Sequence, residues 1–409
     1  VTYDRFSTIN WPLLALIALT GTFVGAIPVS CMPVLFKEIS DDLGLDLVQV
    51  GTIWGVANLA GIFVSIIGGV IADRFKLKRV LAVFCILVGI TGALRGISDS
   101  FFALAVTVFI NGIVRLVVPI AATKAIGVWF RGPRMGTAMG VGAMGIGLGL
   151  TLGPMISATV LSPLLGGWRN VMYFYGALST LVGVAWVFAG KESTAATAPA
   201  VASRPPVFQT LSKLLRLKAI WVISLGMLFR IACIIGVTGY LPIYLRGQGW
   251  TPAAADGTLA IFYALSAALV IPLSLMSDRL HSRRAVILPA AVVTTVAVGL
   301  LPLAEGAAVW VLAMLAGMFL DGFMSIIVTT LLETEEIGPA FSGTALGMIF
   351  AISQVGAVVS PPIGNSLADF GAGTPFFFWA GLSLVSLLVL LAVRETAGRA
   401  RGVGVIVKR

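Results

Sequence analysis

GGVIADRFKLKRVL, residues Gly68–Leu81, and PLSLMSDRLHSRRAVIL, residues Pro272–Leu288, are two copies of one pattern. Each leaves an apolar run through Asp-Arg, crosses a basic cluster and enters a second apolar run, and Asp73 and Asp278 lie 205 positions apart. Further out, RGPRMGTAMG (Arg131–Gly140) matches IGPAFSGTALG (Ile337–Gly347) at an offset of 206 to 207, and Gly112 corresponds to Gly317. One nearly constant offset along the chain marks an internal duplication. The apolar runs themselves number twelve, at about 11–36, 48–72, 79–97, 101–126, 136–163, 170–190, 219–244, 253–277, 285–303, 308–331, 342–366 and 375–393. Each is near the roughly 20 residues that a helix needs to cross a bilayer.

Composition agrees. Of 409 residues, 58% are hydrophobic and 11% charged, with a mean hydropathy of +1.04, whereas soluble domains carry about 25% charged residues. The first run is too long for a signal peptide and no small-residue cleavage site follows it. The formal charge of +10 does not point to nucleic acid, because its distribution is topological. With the N-terminus inside, twenty-one of the 27 Lys and Arg fall in inner loops and termini. Only Lys37, Arg95, Arg169 and Arg246 fall outside, and Arg115 and Arg230 lie within spans. That asymmetry places both termini in the cytoplasm, at the cell (inner) membrane. Cys31, Cys85 and Cys233 sit in apolar spans as small hydrophobes, and His281 sits in a basic loop; no metal site or cofactor is expected.

The stretch KESTAATAPAVASRPP (Lys191–Pro206) is a flexible linker by composition. The following VFQTLSKLLRLKAI sets Lys213, Arg216 and Lys218 against Leu211, Leu214 and Leu215, a pattern suited to a short amphipathic helix on the inner leaflet. The expected architecture is therefore all-α and integral to the membrane: 12 transmembrane helices in two pseudo-symmetric six-helix bundles, 1–190 and 219–409, joined by a cytoplasmic linker over 191–218. Parallel repeats of this kind build transporters whose halves rock around a site near the bilayer midplane.

The D-R-x-x-x-[KR]-[KR] loops after the second and eighth runs, GLTLGP (Gly149–Pro154) and GGWR (Gly166–Arg169) together resemble the signature features of the major facilitator superfamily over the whole chain. Lys76 stands where the family usually has glycine, and Ser274 stands where the first loop has Gly69, so the second loop is expected to latch more weakly. The resemblance implies a secondary transporter, active as a monomer. It also implies that the loops close the inward mouth, with Gly69 allowing close helix approach and Asp73, Arg74 and Arg79, and in the second copy Asp278, Arg279 and Arg284, gating by making and breaking ion pairs. Within the family the spans weakly resemble the cyanate/nitroimidazole-type and monocarboxylate-type branches. Nitrate-type carriers use arginines in spans two and eight, which this chain lacks.

A charge at mid-span is costly and faces a cavity or a partner. NGIVRLVVPI carries Arg115, MLFRIAC carries Arg230 and MFLDGFM carries Asp321, each within roughly 3 Å of its span's middle at 1.5 Å per residue. By the family resemblance, their spans, the fourth, seventh and tenth, line the central cavity. Two guanidiniums against one carboxylate leave a net positive site that suits a carboxylate or oxyanion. The bland alternative is a structural ion pair of either arginine with Asp321. As the only membrane-embedded carboxylate, Asp321 is the expected proton carrier, released to take up a proton when an anion captures the arginines. Phe23, Asn58, Asn111, Tyr263 and Gln354 are further candidates for the pocket wall, Asn111 sharing the face of Arg115 one turn away.

The expected function is proton-coupled secondary transport of a small organic or inorganic anion. A proton-driven multidrug exporter is the alternative, although the first span carries no acidic residue and a doubly basic midplane does not suit cationic drugs. A non-transporting sensor on the same fold would read identically. No catalytic triad, H-E-x-x-H or nucleotide-binding loop supports an enzyme. The acidic Glu333–Glu336 stretch either pairs with the basic loop of the other half or is solvated, and the solvated reading is favoured.

Overall fold

In a computed structural model the described residues are 11–130, 134–190, 212–334, 337–393 and 395, with side chains at all of these except 63, 65–74, 134, 338–340 and 342. Among them are ten helices long and apolar enough to cross a membrane. These are Trp11–Ser30, Leu77–Ile97, Phe101–Trp129, Met135–Leu165, Trp168–Ala189, Lys218–Gly247, Pro252–Arg279, Arg284–Leu303, Ala307–Leu332 and Gly343–Phe370. Two shorter apolar helices, Leu47–Ile62 and Thr374–Leu390, occupy the second and twelfth positions. Leu47–Ile62 belongs to a helix that runs on to Arg74. All twelve expected spans are thus helical, and the chain is a multi-pass membrane protein. They are helices because a spanning segment must satisfy its own N–H and C=O groups.

Three spans are irregular where glycine or proline interrupts the ladder. The first contains a π-helical stretch, Thr20–Ala26, around Gly21 and Gly25, and restarts after Cys31 as the helix Met32–Leu43. In the fifth, Pro154 is followed by a π-helical turn, Ser157–Leu161. The tenth, expected to be continuous, is two helices, Ala307–Gly317 and Leu320–Leu332, with the break just before Asp321.

Contacts divide the chain into two compact units, Val1–Cys31 with Val64–Ala200 and Met32–Phe63 with Val201–Arg409. The expected division at 190 and 219 differs in one segment, 32–63, which groups with the second unit. In the first unit, glycines 145, 149 and 153 meet the first span turn for turn. Cβ atoms added there would collide with Ala18, with Ala26 Cβ (2.6 Å) and Thr22 O (2.8 Å), and with Ser30. Hydroxyls bridge the same seam, Thr22 Oγ1 to Gly145 O at 2.8 Å and Ser30 Oγ to Gly149 O at 3.1 Å.

In the second unit, the first half of the second span lies against the eleventh. A Cβ at Gly51 would stand 2.8 Å from Pro361 C, and one at Gly55 would strike Val358 O. Trp54 Nε1 donates to Ile235 O at 2.8 Å, and Asn365 Nδ2 donates to Leu47 O at 2.8 Å. The linker 191–211 lies outside the described residues. The expected amphipathic helix is described only from residue 212, where one helical turn, 212–214, gives way to a turn before the seventh span. Its Leu214 is 1% exposed in the second unit's core beside Ile220, Ile327 and Leu331, so this leucine anchors to protein rather than to lipid. Lys213 Nζ lies 4.7 Å over the Phe341 ring.

Candidate functional site

Arg230 is 1% exposed. Among the described residues none of its three guanidinium nitrogens has a hydrogen-bond partner. The face of Phe323 lies 4.9 Å from the guanidinium carbon, a cation–π contact that offsets part of the desolvation cost. Asp321, in the same unit, does not pair with it. Instead Ser266 Oγ donates to Asp321 Oδ2 at 2.6 Å and accepts from the Asp321 backbone N–H at 3.0 Å. The carboxylate stands in the first turn of the half-helix Leu320–Leu332, where the helix dipole favours negative charge. The break at Met318–Phe319 creates that terminus, and the continuous-span reading missed it. The Arg230–Asp321 version of the structural ion pair is absent among the described residues.

Arg115 belongs to the first unit and is half-buried on the fourth span. Its Nη1 donates to Gly25 O at 3.3 Å, in the π-helical stretch of the first span. Arg95, expected in an outer loop, is instead 3% exposed. Its Nη1 donates to Pro28 O at 2.7 Å and its Nε to Gly92 O at 3.1 Å, leaving Nη2 unpartnered. Two arginines thus hold carbonyls of the irregular first span. Asn111 is 4% exposed and spends its amide on Val88 O (3.2 Å) and Thr91 Oγ1 (3.0 Å) of the third span. Phe23 is half-buried, with its carbonyl accepting from Ser179 Oγ at 2.8 Å.

The remaining expected pocket residues lie in the second unit. Gln354 Nε2 donates to Asn58 O at 3.3 Å, and the Asn58 side chain turns back to Trp54 O at 3.2 Å, so these two meet each other. Tyr263 is 8% exposed, with its ring edge-on to Phe262 at 5.4 Å.

In the loops after the second and eighth spans the expected gating residues divide. The side chains of Asp73 and Arg74 lie outside those described, as does the surrounding of Gly69, and Arg79 is exposed. In the second copy Asp278 pairs with Arg283, a residue absent from the expected set, rather than with Arg279 or Arg284. Arg283 also grips Glu333 with Nη2 at 2.7 Å and Nε at 3.1 Å. Hydrogen bonding to Glu333 first, and to Asp278, holds its guanidinium above arginine's ordinary value against the opposing effect of burial. Glu333 is therefore an ion-pair partner within its own half rather than solvated; Glu335 and Glu336 lie outside the described residues. Glu395 closes the network, accepting from the backbone N–H groups of Arg283 (2.8 Å) and Arg284 (3.2 Å) at the start of the ninth span. Arg284 Nη2 reaches Leu391 O at 3.1 Å, and Arg279 is exposed.

A family model described as Major Facilitator Superfamily matches residues 18–335. The chain is 28% identical over 263 residues to a probable nitrate/nitrite antiporter of Thermus thermophilus, a match that covers 61% of this chain and 58% of that protein. It is 24% identical over 371 residues to the 3-(3-hydroxy-phenyl)propionate transporter of Escherichia coli K12, covering 86% and 87%. In fold it is similar to a bacterial homologue of the human lysosomal transporter Spinster, with a TM-score of 0.75 and 16% identity over 95% of this chain and 96% of that one.

Proposed function

Because the chain belongs to the major facilitator superfamily, we propose that it moves a small organic or inorganic anion across the cell membrane by alternating access, coupled to a proton through Asp321. It is a transporter and not an enzyme. In this reading 1–190 and 219–409 are the two bundles, with both termini cytoplasmic as the distribution of Lys and Arg requires.

The observation that carries the anion is Arg230, a buried cation whose guanidinium nitrogens have no acceptor among the described residues. A buried charge without a partner costs several kcal/mol, and a carboxylate or oxyanion substrate would supply the missing acceptor in the fork geometry that guanidinium favours. Two relatives carry names that specify anions, nitrate/nitrite and a hydroxyphenylpropionate, which accords with this class. Asp321 suits proton carriage because Ser266 can donate to its ionised form or accept from its protonated form, so the same contact survives both states.

The test is ligand-induced thermal stabilisation of the purified full chain, wild type and Arg230→Gln, with small carboxylates, inorganic oxyanions and lipophilic cations. Binding to the folded state raises the melting temperature by mass action. Stabilisation by anions that the variant loses is the expected result. Stabilisation by cations, unchanged in the variant, would favour a drug exporter and remove Arg230 from the site.

A further inference from the structure

The first unit contains a cavity of about 180 Å³ between the first, fourth and fifth spans. Its walls include Gly21 and Gly25, Pro119 and Thr123, and Gly142 and Ala143. Ile17, Val118, Ala122, Ile126, Met139 and Ile146 complete a surface whose only side-chain oxygens belong to Thr20 and Thr123. Thr123 and Ala143 are exposed, so the cavity is open rather than sealed. One wall comes within reach of a charge. Arg115 stands four residues before Pro119 on the fourth span, and its single hydrogen bond ends on the carbonyl of Gly25, itself a wall residue. A guanidinium has five N–H donors, so most of its capacity is uncommitted.

Gly25 is not held to glycine by packing. A Cβ there would meet nothing nearer than Thr20 O at 3.7 Å, an ordinary contact, whereas one at Gly21 would press on Ile146 N at 3.1 Å and Gly142 O at 3.2 Å. Gly25 thus both lines the cavity and offers the carbonyl that Arg115 holds. In size, the cavity slightly exceeds the roughly 150 Å³ apolar void known to hold benzene.

We propose that the substrate is an organic carboxylate with one compact, ring-sized apolar body, seated in this cavity with its carboxylate on Arg115. This rests on the anion-transport reading but gives the carboxylate to Arg115 rather than to Arg230. Inorganic oxyanions and polyhydroxylated acids would leave the apolar walls unused and are the disfavoured members of the class.

The test compares benzoate, acetate, nitrate and neutral benzamide as ligands of the full chain in detergent, read by calorimetric binding, for wild type, Arg115→Gln, Arg230→Gln, Ala143→Leu and Ala122→Leu. Benzoate binding should be lost in Arg115→Gln and kept in Arg230→Gln, and the reverse would overturn the proposal. Benzoate should bind at least about tenfold more tightly than acetate, because the ring leaves water, and benzamide should bind poorly. Each leucine should fill the cavity and bring benzoate down to the level of acetate. Acetate or nitrate binding as well as benzoate would overturn the proposal, as would benzamide matching benzoate or a preference that survives both leucines. If acetate or nitrate still binds and Arg230→Gln abolishes it, only the ring-sized cavity reading has failed. If no anion binds wild type, the anion reading fails and takes this one with it.

Discussion

Arg230 and Arg246 lie on the same helix in opposite circumstances. Arg246 Nη2 bonds both oxygens of Asp256, at 2.6 and 2.8 Å, and that carboxylate is 0% exposed, whereas Arg230 lies over an aromatic face. Removing one partner of a buried pair leaves the other charge uncompensated, so Asp256→Asn should cost about 3–5 kcal/mol of stability. Thermal unfolding in detergent checks the loss, and ligand affinity measured below the melting point should be unchanged. In the network between the eighth and ninth spans, Arg283→Ala should cost on the order of 2–3 kcal/mol, between a charged hydrogen bond and a fully buried pair; Arg279→Ala should leave the melting temperature where it is. The midplane charges were legible in the sequence because an ionisable residue stands out in an apolar run. Arg95 was not, since a charge at the end of a run reads equally as loop or interior. Nor does a loop with three arginines, 279, 283 and 284, say which one reaches Asp278. That choice depends on the turn at His281, whose φ of 47° redirects the chain between them.

Among elements, the glycine periodicity of the fifth span was readable, but its partner was not, because spacing says that a face is smooth without saying what lies on it. The partner is the small-residue row Ala18, Thr22, Ala26 and Ser30 of the first span, one residue per turn against one glycine per turn. Without a hydrophobic drive between helices in lipid, such backbone proximity carries the association. Gly149→Val should therefore lower the yield of folded protein in the membrane several-fold, measured by fluorescence-detected gel filtration, while Gly140→Val, with no atom within 4 Å of its Cβ position, should not. The interruption before Asp321 escaped the sequence reading because Gly317-Met-Phe contains no proline and keeps its hydropathy. If the short helix it creates holds the coupling carboxylate, Asp321→Asn should abolish uptake driven by a pH gradient in proteoliposomes yet retain substrate exchange. Equal loss of both would make the residue structural.

Over the whole molecule, the duplication at 205 to 207 residues revealed the architecture, since repeats share pattern even where residues have diverged. The grouping of segment 32–63 with the second unit was not legible, because it depends on contacts across more than 180 positions. Those contacts include the Trp54 and Asn365 bonds, each worth about 1 kcal/mol. Trp54→Phe and Asn365→Ala should each speed amide exchange of 47–62 about fivefold, and the double variant should combine the effects; unchanged exchange would mean that the segment is held by glycine packing alone. The same segment has a history on the ribosome. Residues 47–62 leave it about 300 residues before Pro361 and Asn365, a delay of roughly 15–60 s at 5–20 residues per second. For that interval the Gly51 and Gly55 face sits in lipid without the helix it will finally adopt. A nascent chain stalled before residue 350 should therefore expose this face to a lipid-soluble photoprobe, and the finished protein should hide it.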